Sequence, residues 1–110
     1  MIANADSVFF DTEFLRERTY HPLLCLAQVL VGDDTLLIDP LTNADYDALW
    51  ESLLSTPLTL HSGRQDLEVL YITTNRLPNR VFDTQIAAGL TGMPPQVGYA
   101  TLVERVCEVK

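Results

Sequence analysis

Along the first forty residues, apolar and polar positions alternate with the period of two that a pleated strand imposes. In residues 8–14, Val8, Phe10, Thr12 and Phe14 fall on one face, and Phe9, Asp11 and Glu13 on the other. Residues 23–31, rich in Leu and Val, predict a second strand, and residues 35–38 a third. Gly32-Asp33-Asp34 between them has hairpin-turn chemistry, and Asp39-Pro40 closes the third strand. The period then lengthens. Tyr46, Leu49, Trp50, Leu53 and Leu54 recur at helical spacing, and Asp45 and Asp47 lie in the first turn, where carboxylates suit the helix dipole. Residues 58–61 predict a short fourth strand, and Ser62-Gly63-Arg64-Gln65 matches the S-x-x-Q capping box of a helix running to about Ile72. After a loop over residues 75–80, Val81-Phe82 predicts a fifth strand, and Asp83 is placed to cap a helix ending near Leu90 to Gly92. Met93-Pro94-Pro95 breaks the chain before a last helix, residues 98–107, whose Tyr99, Leu102, Val103 and Val106 share a face. Three strands followed by alternating helices and strands predict a mixed α/β sheet, in one domain over residues 1–110.

Composition alters this picture little. Hydrophobic residues make up 47% and charged residues 20%, as in ordinary globular chains. No apolar run approaches the roughly 20 residues that span a bilayer, and the first residues lack the pattern of a secretion signal, so a cytoplasmic location without membrane partners is expected. Cys25 and Cys107 sit in apolar patterns with no C-x-x-C spacing, which predicts buried free thiols. The net charge of -8 argues, taken alone, against binding nucleic acid, which needs Lys and Arg to neutralise phosphate. Two considerations offset it. Acids that hold divalent cations present no negative charge to a substrate, and three of the seven bases, Arg16, Arg18 and Arg64, stand beside acidic motifs.

Those motifs carry the chemistry. Asp11 and Glu13, two apart on a strand, project from the same face in a segment apolar enough to be central. Two like charges there repel and lose hydration at a cost of several kcal/mol unless compensated, and an oxygen-seeking cation, Mg²⁺ or Mn²⁺, is the natural compensation. A strand end at which both acids meet solvent is the alternative. Asp66 stands at the start of a helix just after a strand, where the dipole favours an anion; ordinary helix-start chemistry is the commoner explanation of such a residue.

With their flanks, these segments resemble a family. Phe10-Asp11-Thr12-Glu13-Phe14, followed by Arg16-x-Arg18-Thr19-Tyr20-x-Pro22 and Leu26-x-Gln28, resembles the first exonuclease motif of ribonuclease D. Leu37-Ile38-Asp39-Pro40-Leu41 is similar to the family's next strand end, and residues 61–70, H-S-G-R-Q-D-L-E-V-L, to its second motif. Asp83-Thr84-Gln85-Ile86-Ala87-Ala88 is similar to a further signature. The resemblance implies a DEDD-type 3'-5' exonuclease on a ribonuclease H-like five-stranded mixed sheet flanked by helices. It implies two-metal hydrolysis of RNA 3' ends, including those of transfer-RNA precursors, with Asp11, Glu13 and Asp66 as Mg²⁺ or Mn²⁺ ligands. It also implies Phe14 near the terminal nucleotide, and His61 supporting the site, for which a hydrogen-bonded structural histidine is the plainer reading. Asp83 falls to helix capping or to support of the site. Arg16, Arg18 and Arg64 are candidate phosphate contacts, with solvated surface arginines the alternative.

One part of the pattern is missing. The family's third motif places a Tyr or His four residues before an Asp, the fourth ligand. Here Val103 follows Tyr99 at that spacing, Gln65 follows His61, and no Asp occurs after Asp83. The expectation is therefore a C-terminally truncated exonuclease core, either a piece of a longer enzyme or a natural short form, that is inactive or weak alone. A non-catalytic module binding nucleic acid or a partner through the same cleft is the second reading. An acidic α/β domain with no active site is the third. A surface left open by the missing last helix would also permit self-association.

Overall fold

In the computed structural model, residues 6–15, 23–40, 42 and 45–108 are described. The elements run β1 (Val8–Leu15), β2 (Leu23–Val31), β3 (Asp34–Ile38), α1 (Asp47–Leu54), β4 (Leu58–Leu60), α2 (Arg64–Thr74), β5 (Val81–Asp83), α3 (Thr84–Leu90) and α4 (Tyr99–Cys107). The five strands form one sheet in the order β3-β2-β1-β4-β5. β1, β2 and β3 are antiparallel, while β4 and β5 run parallel to β1, so the expected mixed sheet is present. Gly32, with φ 61°, opens the two-residue turn between β2 and β3, a conformation that favours glycine.

The alternation in β1 fixes which way the sheet faces. Val8, Phe10 and Thr12 are buried on one side, while Phe9, Asp11 and Glu13 are exposed on the other. β2 follows suit only through an irregularity. Glu13 stands opposite Leu26 but Phe14 opposite Leu24, so Cys25 is an extra residue, a β-bulge. The bulge turns Leu24 to the same buried side as Ala27, Val29 and Val31. On that side, Trp50, Leu53 and Leu54 of α1 and Val69 and Leu70 of α2 complete the core. Burial of these side chains, about 1.5–3 kcal/mol each, is the main stabilising term.

The opposite face is open. Phe9, Leu30, Leu37 and Phe82, brought to one side by strand register, are 53%, 37%, 66% and 57% exposed. α4 has the expected amphipathic sequence, yet none of its residues is buried. Cys107, at its end, is consequently exposed, and Cys25 at the bulge is half-buried; both are free thiols but neither lies in the core, contrary to expectation. Among the described residues, no helix is long and apolar enough to cross a membrane.

Candidate active site

The three parallel strands β1, β4 and β5 point the same way, and the sequence motifs gather where they end, the usual place for ligands in sheets of this kind. β4 pairs with β1 only at Val8 and Phe9 and ends at Leu60, which pairs with Asp83 of β5 alone. Past that point α2 takes its place beside β1. Asp66, in the first turn of α2 and only 7% exposed, accepts hydrogen bonds at Oδ1 from the Thr12 N–H (3.2 Å) and the Thr12 hydroxyl. A carboxylate thus satisfies the β1 edge where the neighbouring strand has ended.

Burial pushes the Asp66 carboxyl above the usual range, the Thr12 hydroxyl bond pulls it back, and the charges of Asp11 and Glu13 push it up again. The Asp66 carboxyl therefore senses both of the strand-borne acids. Asp11 and Glu13 stand on the open face, and Asp11 lines a groove of about 560 Å³ together with Phe9, Leu30, Thr35, His61 and Tyr99. Among the described residues, no three His, Cys, Asp or Glu side chains converge as a group that could hold a metal ion. The donors fit a divalent cation in kind: three carboxylates, one buried and destabilised by the other two, are the oxygen set that Mg²⁺ or Mn²⁺ takes.

The turn from β4 into α2 is built differently from the capping box expected of Ser62 and Gln65. The α2 cap is Gly63, with no side-chain cap bond, and Ser62 sits in the left-handed region at φ 54°. A capping serine needs extended backbone, which Ser62 does not have. Asp83 supplies the missing acceptor from the end of β5. Its carboxylate takes the N–H groups of Ser62 (3.0 Å) and Gly63 (2.8 Å) while capping α3 through Gln85 (2.9 Å) and Ile86 (3.4 Å). Partial burial works to raise the Asp83 carboxyl, but these four bonds outweigh it and hold it below the ordinary range. The expected capping role of Asp83 is realised, and it extends to a second helix. Gly63 is required here for space, because a Cβ would lie 2.6 Å from the Leu60 Cβ.

His61 is held at both nitrogens. Nδ1 lies 2.8 Å from the Thr84 hydroxyl, and Nε2 2.9 Å from the Val97 carbonyl, an arrangement that requires Nε2 to donate. Gln85 Nε2 donates to the same carbonyl at 3.0 Å, and Tyr99 meets the imidazole edge-on at 5.5 Å. His61, Thr84 and Gln85 thus tether the segment leading into α4 to the ends of β4 and β5. Phe14 is half-buried against the core, on the face opposite Asp11 and Glu13, and is not brought to them. Arg64 is exposed two residues before Asp66. Arg16 and Arg18 lie outside the described residues. Sequence reasoning missed Thr12, whose role appears only once Asp66, 54 residues away, is placed beside it.

A mixed sheet with an acidic pair on its central strand and a third carboxylate at the adjoining helix start defines the class. The family model described as 3'-5' exonuclease matches residues 1–110, and the chain belongs to that family, within the ribonuclease D group. It is 42% identical to ribonuclease D of Zymomonas mobilis over 113 residues, covering 99% of this chain and 29% of that protein. The crystal structure of Escherichia coli RNase D, an exoribonuclease involved in structured RNA processing, superposes with a TM-score of 0.89 at 38% identity, over 98% of this chain and 29% of that one. Brucella melitensis NrnC with bound Mg²⁺ gives a TM-score of 0.77 at 27% identity, over 98% of this chain and 56% of that one. The chain thus spans less than a third of the length of the ribonuclease D proteins it matches. The predicted ribonuclease H-like architecture stands.

Proposed function

We propose that these 110 residues are a single, partial exonuclease domain, the part of a 3'-5' exoribonuclease that binds divalent cations through Asp11, Glu13 and Asp66. The observation that carries this reading is the burial of Asp66 beside two further carboxylates that destabilise its charge. Held by these three carboxylates, Mg²⁺ or Mn²⁺ would supply Lewis acidity for hydrolysis at an RNA 3' end. The chain's own residues do the rest. Asp11 and Glu13 present oxygens from a rigid central strand, Thr12 and the α2 dipole hold Asp66, and His61 fixes the groove wall beside them. The substrate of the whole protein is RNA at its 3' end, with transfer-RNA precursors the proposed targets in the cytoplasm. Arg64 is placed to meet phosphate at the rim of the site. The neighbour carrying Mg²⁺ supports the choice of cation, and the E. coli relative supports RNA.

Alone, the chain is proposed to be inactive or very weak, since no Tyr or His stands four residues before an Asp. Titration of Mn²⁺ into metal-free protein should show saturable binding. Asp11→Asn should weaken it by at least the roughly tenfold that losing even a supporting partner costs. An absence of saturable binding refutes the cation site. Strong metal-dependent release of mononucleotides from RNA 3' ends, abolished by Asp11→Ala, refutes the inactivity. The open groove favours a second reading, a non-catalytic module for nucleic acid or a partner; it requires retention of RNA or of a partner protein at low salt that survives Asp66→Asn.

A further inference from the structure

We propose that Thr12 is a positioning residue that sets the Asp66 carboxylate for cation binding, an inference that rests on the cation reading above. Thr12 lies between Asp11 and Glu13, but its side chain points to the other face of β1 and is buried. Both of its donors, the N–H and the hydroxyl, converge on one Asp66 oxygen, Oδ1. Two donors on one oxygen fix the carboxylate plane and direct Oδ2 away from Thr12 as the oxygen left for a cation. The Thr12 N–H belongs to the peptide that joins it to Asp11. The pairing therefore pins the helix-borne acid to the backbone segment from which the two strand-borne acids project. A residue of the hidden face thereby sets the relative placement of all three carboxylates. The hydroxyl is the part of this device that a side-chain change can remove, because the N–H remains in any variant except proline.

The test is Mn²⁺ titration of the full 110-residue chain by electron paramagnetic resonance, which counts free ion directly and needs no turnover. Thr12→Val keeps shape and N–H but removes the hydroxyl, and should weaken Mn²⁺ binding about tenfold, as loss of a ligand's supporting partner does. Thr12→Ser keeps the hydroxyl and should stay within about threefold of the parent, well inside that loss. In an Asp66→Asn background, Thr12→Val should have no further effect. Unchanged or tighter binding by Thr12→Val overturns the proposal, as does equal weakening by Thr12→Ser or a further loss in the Asp66→Asn background. Should Thr12→Val fail to fold by circular dichroism, the comparison of Thr12→Ser with Thr12→Ala decides on the same criteria. Failure of the parent chain to bind Mn²⁺ is a separate result that removes the cation reading itself and this inference with it.

Discussion

Replacing Asp83 should cost far more stability than an ordinary change of a half-buried polar side chain. Its carboxylate holds four backbone N–H groups from the starts of two helices. Asp83→Ala removes the α3 cap, worth about 1 kcal/mol. It also strips the acceptors from Ser62 and Gly63, at about 1 kcal/mol each because solvent reaches this carboxylate in part. The sum is a loss of about 3 kcal/mol, a fall of roughly 2 M in urea midpoint for a chain of this size. Asp83→Asn discriminates further. Oδ1 takes Ser62, Gln85 and Ile86, and an amide oxygen can keep those three, whereas the amide nitrogen at the Oδ2 position meets the Gly63 N–H donor to donor. Its expected cost is about 1–1.5 kcal/mol. Trp50, the single tryptophan and buried in the core, reports unfolding by fluorescence. The clamp is refuted if Asp83→Ala costs less than about 1 kcal/mol, the value of an ordinary cap alone, or if Asn is as damaging as Ala.

The same bonds set the sign of a pH effect. Because the folded Asp83 carboxyl is held below its ordinary 3.8, its contribution is present above that value and is lost as pH falls through the folded value. Asp66 runs the other way: its raised carboxyl makes protonation favour the fold at low pH, an advantage lost as pH rises through its folded value. The clean measurement is therefore the stability difference between the parent chain and Asp83→Asn. That difference should be constant from neutral pH to about 5 and shrink below 4.

Gly63→Ala should destabilise by about 1–3 kcal/mol, because the new Cβ meets the Leu60 Cβ rather than the tip of a flexible chain; a thermal melt with an unchanged midpoint would show that the turn adapts freely. Self-association through the open sheet face should increase with both protein concentration and salt, since salt screens the repulsion between chains of charge -8 without weakening apolar contact. Leu37→Lys should then suppress it, and a strictly monomeric mass in 0.5 M salt by sedimentation would count against the face as an interface.

What was legible in the sequence was whatever depended on local period. The faces of β1, the β2–β3 hairpin, the five strands and the capping aspartate Asp83 follow from spacing and turn chemistry within about ten residues. The failures are all matters of long-range partnership. Ser62-x-x-Gln65 has the letters of a capping box, but Asp83 had already taken the Ser62 and Gly63 donors and left Ser62 left-handed. The bulge at Cys25 has no local signal, since an extra residue in a run of Leu, Cys and Ala changes no periodicity that a window can detect. The apolar stripe of α4 predicts packing but not a partner, and it packs against little. For the site, the acid pair was visible as chemistry, whereas the link from Thr12 to Asp66 became visible only in three dimensions. His61 shows the same limit. Its motif marked it as a site residue, and its bonds to Thr84 and Val97 come from 23 and 36 residues away.

The acid pair and the open apolar face share one side of the sheet, and this constrains what can lie against it. Phe9, Leu30 and Leu37 gain from being covered by any apolar layer, at about 25 cal/mol per Å² removed from water. Asp11, one pleat along from Phe9, loses hydration under that same layer, at a cost of several kcal/mol for a carboxylate with no countercharge. The two demands are compatible only if a covering layer ends at Asp11 or if positive charge arrives with it. Cations at Asp11 and Glu13, as proposed above, would meet the second condition. The open face and the candidate metal site are for this reason one problem: occupation of the site lowers the cost of covering the face.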